Sequence, residues 1–231
     1  MTKTLFSTIC IAVIFFHVKA QDKIYLKSVA GAYDLGDLKG IVTDAVVSTA
    51  ETDRPYRAIS EFSWSLQVEA GYMRNLSDKN VLSISMNYTG TEGGIAYQDA
   101  GSDDFLVFDL DRWGFNVEWQ RQFFNGIYGL MRGSLHYSNL KRESRSRFIP
   151  GDWQELNLKH HSWTPAVTPG LGWQKSFDRL TVLVEGGYEF TVWPREFQSR
   201  DGGPPLFNAN SKLAVTDWSG WRLGLGVALS L

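Results

Sequence analysis

The chain has 231 residues, with 23 Lys or Arg against 25 Asp or Glu, so its formal net charge is −2 when His is neutral. This balance does not favour nucleic acid as a partner, because binding to phosphates requires a basic surface. The single Cys excludes an internal disulfide framework and a Cys-rich metal centre, and we expect neither a metal nor a cofactor. Aromatic residues make up 14% of the chain, which suits a protein with two differently solvated surfaces.

The first 20 residues are typical of a secretory signal peptide. Lys3 gives a positively charged start, an apolar run extends from Leu5 to Val18, and small residues precede a cleavage site after Ala20. The apolar run is shorter than the roughly 20 residues that a membrane-spanning helix needs. We therefore expect export, removal of residues 1–20, and a single domain over residues 21–231.

The rest of the chain is dominated by alternation, in which every second residue is apolar and the residues between are polar or small. This period predicts β-strands with one apolar and one polar face. Seven such stretches occur, at residues 61–72, 82–88, 112–120, 127–138, 163–174, 180–192 and 221–231. An eighth strand is predicted at Lys23–Tyr33, where the two alternate sets are mixed and their faces stay unassigned.

Two kinds of connection alternate between these strands. Short turns are predicted near Ser77, at Asn125-Gly126 and near Asp178, and Asn-Gly is a strong hairpin signal. Long connections are predicted at residues 34–57, 89–104, 141–161 and 195–216. Short periplasmic turns and long extracellular loops are the pattern of bacterial outer-membrane barrels.

Strand length and aromatic placement distinguish this interpretation from a soluble β-sandwich, which also alternates. Several stretches reach the 9–11 residues that a membrane-spanning strand needs. Aromatic residues cluster near both ends of the apolar faces, as in the interfacial girdles of membrane proteins. We predict an all-β fold: an eight-stranded antiparallel transmembrane β-barrel with short periplasmic turns and four long extracellular loops.

In pattern and topology, residues 21–231 resemble the small outer-membrane barrels typified by the OmpA transmembrane domain and OmpX. The alternating segment Trp221–Leu231 is similar to the terminal signal that such proteins present for insertion, although Leu231 stands where phenylalanine is usual. The resemblance implies localisation in a bacterial outer membrane. As partners we expect outer-membrane lipids and lipopolysaccharide, the barrel-assembly machinery during insertion, and a protein partner in an outer-membrane complex.

The polar faces carry charges that we expect inside the barrel. They are Glu61, Glu69, Arg112, Glu118, Arg132, Glu185, Glu189 and Arg222. Because buried charges of one sign are very costly, the mixed signs predict a paired network that fills and closes the lumen. A narrow channel for protons or ions is the alternative. Glycines at inward positions either relieve crowding or open space for water.

One tetrapeptide, residues 136–139, resembles the active-site motif of outer-membrane lipid A deacylases. The resemblance implies His136 as base, Ser138 as nucleophile and Asn139 in the oxyanion hole, with an orienting acid among Glu143, Asp152 and Glu155. The predicted register turns His136 and Ser138 toward the lumen, whereas a lipid A esterase must present them to lipid. We therefore expect no enzymatic activity, and keep a lipid A-modifying hydrolase as the alternative function.

A basic stretch lies at the outer end of one strand. It contains Lys141, Arg142, Arg145 and Arg147, which we expect either to form a solvated loop or to contact lipopolysaccharide phosphates. The expected function is that of an integral outer-membrane barrel with a structural or envelope-integrity role, or one that binds a partner or ligand through its extracellular loops.

Overall fold

A computed structural model describes residues 22–49, 56–60, 62, 64–99, 101–148, 151–200, 202–208 and 210–231. The predicted signal peptide and Glu61 lie outside these described residues. The strands are β1 Lys23–Tyr33, β2 Arg57–Ser60, β3 Trp64–Asn75, β4 Asn80–Gln98, β5 Ser102–Phe124, β6 Ile127–Phe148, β7 Gln154–Phe177, β8 Leu180–Thr191, β9 Arg195–Glu196, β10 Gln198–Ser199, β11 Val215–Thr216 and β12 Gly220–Ser230. A helix, α1, spans Asp37–Thr49. Within the described ranges, no helix is long and apolar enough to cross a membrane.

Eight of these strands pair in a closed antiparallel ring. The order is β1, β3, β4, β5, β6, β7, β8 and β12, and β12 pairs back onto β1. The closing ladder runs from Lys23 opposite Ser230 to Tyr33 opposite Gly220. The predicted eight-stranded antiparallel barrel is confirmed, and the first strand has the bounds that its sequence predicted.

Short turns join strands at one end of the barrel, which we call the short-turn end. At Asn125-Gly126 both residues have positive φ, 48° and 80°, as a type I′ hairpin turn requires. A Cβ on Gly126 would overlap the carbonyl of Gln174, so a side chain is excluded there. The turns after β3 and β7 fall at residues 76–79 and at Asp178, where they were predicted.

At the opposite end, the long-connection end, two predicted loops are largely strand. Strands β4 and β5 pair as far as Gln98 opposite Asp103, and β6 and β7 pair as far as Ser146 opposite Gln154. The predicted loops at residues 89–104 and 141–161 are therefore mostly β-hairpin. Together these extensions form a projecting four-stranded sheet, to which β2 adds along β4 and β10 along β7.

The described parts of the other two long connections fold over the barrel mouth as a cap. The cap consists of α1 and the segment between β8 and β12, and it packs on the inner face of the projecting sheet. Its core is buried and apolar: Tyr33, Leu35, Leu38, Val42, Phe62, Ile95, Phe108, Leu110, Leu140, Phe197, Leu206, Ala214 and Trp218. This core closes the long-connection end of the barrel.

The polarity of the two strand faces inverts along β5. From Trp113 to Trp119 the outward side chains are apolar and exposed, while the inward ones, such as Arg112 and Glu118, are polar and buried. Beyond Arg112 the pattern reverses, because Leu110 points into the cap core and Asp109 points outward. On β6 the outward residues beyond Tyr137 are likewise polar, beginning with Asn139 and Lys141, and Leu140 points into the cap core. On β5 the outward apolar residues Trp113, Phe115, Val117 and Trp119 form part of a belt around the barrel, and the charged residues Asp111 and Asp109 lie directly above it.

A continuous aromatic row marks the upper edge of this belt. Tyr88, Trp113, Tyr137 and Trp163 lie directly opposite one another on four successive strands. Tyr88 and Trp113 have ring centroids 4.7 Å apart, and those of Tyr137 and Trp163 are 4.9 Å apart. The row therefore follows the strand register and separates the apolar belt from the projecting sheet.

Candidate functional site

The barrel interior contains a charge network that is balanced among the described residues. Four cations face four carboxylates: Lys27, Arg112, Arg132 and Arg222 against Glu69, Glu118, Glu185 and Glu189. All eight residues are buried. Seven of them were predicted at inward positions, and the structure brings those seven together. The balance matters because an unpaired charge in such an interior is strongly destabilising.

Arg132 is the centre of the part of this network nearer the short-turn end. Its Nε donates to Glu118 Oε2 at 2.7 Å, one terminal nitrogen to Glu69 at 3.1 Å and the other to Glu185 at 2.8 Å. A planar guanidinium can serve three carboxylates on three strands because its donors point in fixed, divergent directions. Arg132 therefore connects β3, β5 and β8 across the lumen.

Lys27 completes this half of the network and was missed by the sequence analysis. Its Nζ contacts both oxygens of Glu185, at 3.1 and 3.0 Å, and Glu69 Oε1 at 3.2 Å. The sequence feature that could have predicted its inward position is the opposite face of β1, where Ile24 and Leu26 are apolar and exposed. That face fixes Lys27 inward by alternation, even though the inward set itself is mixed in polarity.

Arg112 and Glu189 form the part of the network nearer the cap. An Arg112 terminal nitrogen donates to Glu189 at 2.7 Å, and Arg222 pairs with the other oxygen of the same carboxylate. The guanidinium of Arg112 also lies over the rings of Tyr33 and Trp218, at 4.8 and 4.2 Å from their centroids. Since both rings belong to the cap core, Arg112 joins the lumen network to the cap.

Apolar layers enclose the network at both ends. Toward the short turns, the inward side chains are Tyr25, Met73, Val81, Leu183 and Ala228, which form a second buried cluster. Toward the long connections lies the cap core. An eight-stranded barrel is only wide enough for side chains to fill, and here they fill it in three layers.

The inward glycines lie beside larger side chains. A Cβ on Gly114 would lie 2.6 Å from Asn87 Oδ1 and 2.8 Å from His136 Nδ1, so these side chains would have to shift to admit a larger residue. A Cβ on Gly226 would overlap the stem of Lys27, and one on Gly172 would overlap the ring of Tyr128. The sequence left open whether the inward glycines relieve crowding or open space for water, and at these three positions they relieve crowding.

Comparisons with known proteins find similarity only at low sequence identity. No protein-family model matches the chain, and no curated protein matches it. Neisserial surface protein A aligns over 94% of this chain and 100% of its own, at 12% identity and a TM-score of 0.46. A major outer membrane protein from Thermus thermophilus covers 90% and 98%, at 10% identity and a TM-score of 0.45. Ail, the attachment invasion locus protein of Yersinia pestis, covers 90% and 99%, at 10% identity and a TM-score of 0.41.

The barrel fold is confirmed by this chain's own strand pairing. Its strand number, antiparallel order and closure are those expected from the resemblance to small outer-membrane barrels.

The structure places the deacylase-like tetrapeptide on two faces of β6. His136 and Ser138 point into the lumen and are fully buried, while Asn139 lies on the outward face. Ser138 Oγ accepts a hydrogen bond from Trp218 Nε1 at 2.9 Å, and His136 Nε2 lies 3.2 Å from Glu189 Oε1. The hydroxyl is thus bonded to Trp218, and the imidazole faces the Glu189 carboxylate.

The three acids considered as orienting groups lie away from His136. Glu143 and Glu155 are on the outward face of the projecting sheet, and Asp152 is exposed just before β7. The carboxylate that actually faces His136 is Glu189 from β8. Glu143 lies on the opposite face of β6 from His136, and Asp152 and Glu155 lie farther along the projecting sheet, so none of the three acids can orient the imidazole.

The basic stretch is also divided by alternation. Lys141, Arg145 and Arg147 point outward from β6, whereas Arg142 is on the inward face with Leu140. Each outward cation pairs with an acid: Lys141 and Arg145 with Glu143, Arg145 with Glu155, and Arg147 with Asp103. Lipopolysaccharide contact by these residues stays a prediction, and the ion pairs lower the positive charge that they offer to phosphates.

Proposed function

We propose that this chain is an integral outer-membrane barrel with a closed lumen, which holds a folded cap and a projecting sheet outside the cell. The observation that carries the proposal is the inversion of polarity at the aromatic row. Below the row the outward side chains of β5 are apolar, whereas directly above it Asp111 and Asp109 point outward and the apolar Leu110 and Phe108 point inward. A soluble protein rarely leaves such an extensive apolar surface exposed, whereas lipid solvates it.

The orientation follows from the two kinds of connection. Short turns face the periplasm and long connections face the exterior in barrels of this class. On this basis the cap and the projecting sheet lie outside, where they meet lipopolysaccharide and external partners. Outer-membrane lipids surround the belt, and the barrel-assembly machinery is the proposed partner during insertion.

The filled lumen favours a structural or presenting role over transport. Charged side chains paired across the lumen leave little room for solutes, and apolar layers cover them on both sides. The barrel thus serves as a rigid support for the groups at the long-connection end. We propose envelope integrity or ligand binding through the projecting sheet and cap as the role of this support.

Membrane fractionation tests the proposal. Expressed with its leader, the chain is expected in the outer-membrane fraction of a density gradient, with β-rich circular dichroism in detergent. Its electrophoretic mobility is expected to change on heating, because the closed barrel resists detergent until it is heated. Recovery as a soluble periplasmic monomer contradicts the proposal.

A further inference from the structure

The projecting sheet carries a pocket on its outward face, away from the lumen network and the cap core. It encloses about 340 Å³ and is lined by Phe105, Val107, Glu143, Arg145, Trp153 and Glu155. The strand register builds it, because Phe105, Arg145 and Glu155 lie opposite one another on β5, β6 and β7. Its volume is within the range typical of small-molecule sites.

Aromatic side chains form one wall of this pocket. The rings of Trp153 and Phe105 have centroids 5.7 Å apart, and Trp153 keeps 40% of its surface exposed. The guanidinium of Arg147 lies 4.6 Å from the centroid of the Trp153 ring. One face of this indole is therefore covered by a cation of the chain itself.

The charges around the pocket balance one another. Arg145 lies 3.4 Å from Glu155 and 3.7 Å from Glu143, and Lys141 also pairs with Glu143. The ammonium of Lys141 holds the pKa of Glu143 below its usual range, so that carboxylate stays ionised and remains a hydrogen-bond acceptor. Two cations against two carboxylates leave no net charge to attract an ion of either sign.

The height of the pocket separates it from lipid headgroups. Phe105 lies eight residues beyond Trp113 on β5, which at about 3.4 Å per residue is about 27 Å along the strand. A strand tilt of about 40° leaves about 20 Å of this as height above the aromatic row. At this height a ligand comes from the carbohydrate that covers the membrane or from the medium.

We propose that this pocket binds a neutral pyranose sugar. The apolar C–H face of the ring packs on Trp153 and Phe105, as flat apolar surfaces do on aromatic side chains. The sugar hydroxyls donate to Glu143 and Glu155 and accept from Arg145, which needs both donors and acceptors in one place. The inference rests on the proposed membrane placement only for the height of the pocket.

Ligand-observed NMR on the full-length barrel in detergent micelles tests this inference. The probes are glucose, galactose, maltose and lactose, with glucuronate and glucosamine as charged counterparts. A second arm uses neutral oligosaccharide prepared from the outer, uncharged part of lipopolysaccharide, which separates a sugar of the cell's own surface from a soluble one. We expect saturable binding of a neutral probe in at least one arm.

Variants locate the bound sugar. Trp153→Ala is expected to weaken binding about tenfold or more, and Glu155→Gln to weaken it less. Trp193→Ala is the matched control, because Trp193 is also exposed, lies outside the pocket and should leave binding unchanged. Unchanged heat-dependent mobility checks that each variant is folded.

Three outcomes overturn the proposal: no saturable binding in either arm, stronger binding of glucuronate or glucosamine than of glucose, and equal losses in Trp153→Ala and Trp193→Ala. None of them bears on membrane insertion, so failure of this inference is distinguishable from failure of the proposed function.

Discussion

Lys27 and Glu185 face each other inside the barrel although 158 residues separate them in the chain. The Lys27 ammonium contacts both oxygens of the Glu185 carboxylate, at 3.1 and 3.0 Å. Lys27 is on β1 and Glu185 on β8, and β12 lies between these strands in the ring. The contact therefore forms only when the barrel is closed, and it links closure to the charge balance of the lumen.

Removal of Lys27 is expected to destabilise the barrel strongly. Lys27→Met leaves Glu185 and Glu69 with one cation fewer in a buried site, and breaking a buried ion pair in this way costs about 3–5 kcal/mol. Urea-induced unfolding in phospholipid vesicles measures the loss. Lys79→Met, in an exposed turn, is the control and should change the free energy of unfolding by less than about 0.5 kcal/mol. Equal stability of the two variants is incompatible with a stabilising role for the Lys27 contacts.

The closed lumen predicts little or no steady ion conductance. Paired charges occupy the middle of the barrel, and apolar clusters cover them toward both ends. Purified protein in planar bilayers is expected to give traces like those of protein-free bilayers. Reproducible single-channel steps from the purified protein would show that the network leaves a path for ions.

Arg112 is expected to hold the cap on the barrel. Arg112→Met removes the cation that contacts Tyr33, Trp218 and Glu189, so the cap should open more often while the barrel stays folded. Limited digestion with proteinase K should then cut residues 192–219 faster than in the parent protein. Arg121→Met, at an exposed outward position near the short-turn end, is the matched control. Identical digestion of both variants argues against this role of Arg112.

Ser138 is expected to have no part in lipid chemistry. Its hydroxyl is buried and bonded to Trp218, so Ser138→Ala should leave the lipid A acyl pattern unchanged when the protein is overproduced. Mass spectrometry of lipid A measures this. Loss of an acyl chain with the parent protein, abolished by Ser138→Ala or His136→Ala but retained by Ser134→Ala, would instead establish the hydrolase.

Alternation predicted the barrel well because lipid requires an apolar outer face. Every strand of the ring was expected, and Glu69 and Glu118 were placed inward by the apolar residues on either side of each. The hairpin signal at Asn125-Gly126 was equally dependable, because few residues adopt positive φ twice in succession.

The extensions of β4 to β7 beyond the aromatic row were missed because the polarity of the two strand faces changes there. Leu110 and Leu140 continue the inward set, but as apolar residues, so the extensions resembled loops when an apolar outward face was sought. The cap could not be predicted from the sequence. The position of α1 depends on its packing against the sheet, and that of Trp218 depends on contacts with Arg112 and Ser138. Such contacts join segments that are distant in sequence.

The polarity inversion on β5 is the central claim, and site-directed spin labelling tests it most directly. Asp109 and Val117 both point outward, about 27 Å apart along the strand at about 3.4 Å per residue. The sequence's single Cys lies at position 10, within the predicted signal peptide, so single-Cys variants of the exported chain suit this measurement. In lipid vesicles, a label at position 117 is expected to be more accessible to oxygen than to a water-soluble nickel complex, and a label at position 109 to show the reverse. Equal access of the nickel complex to both positions would contradict the account.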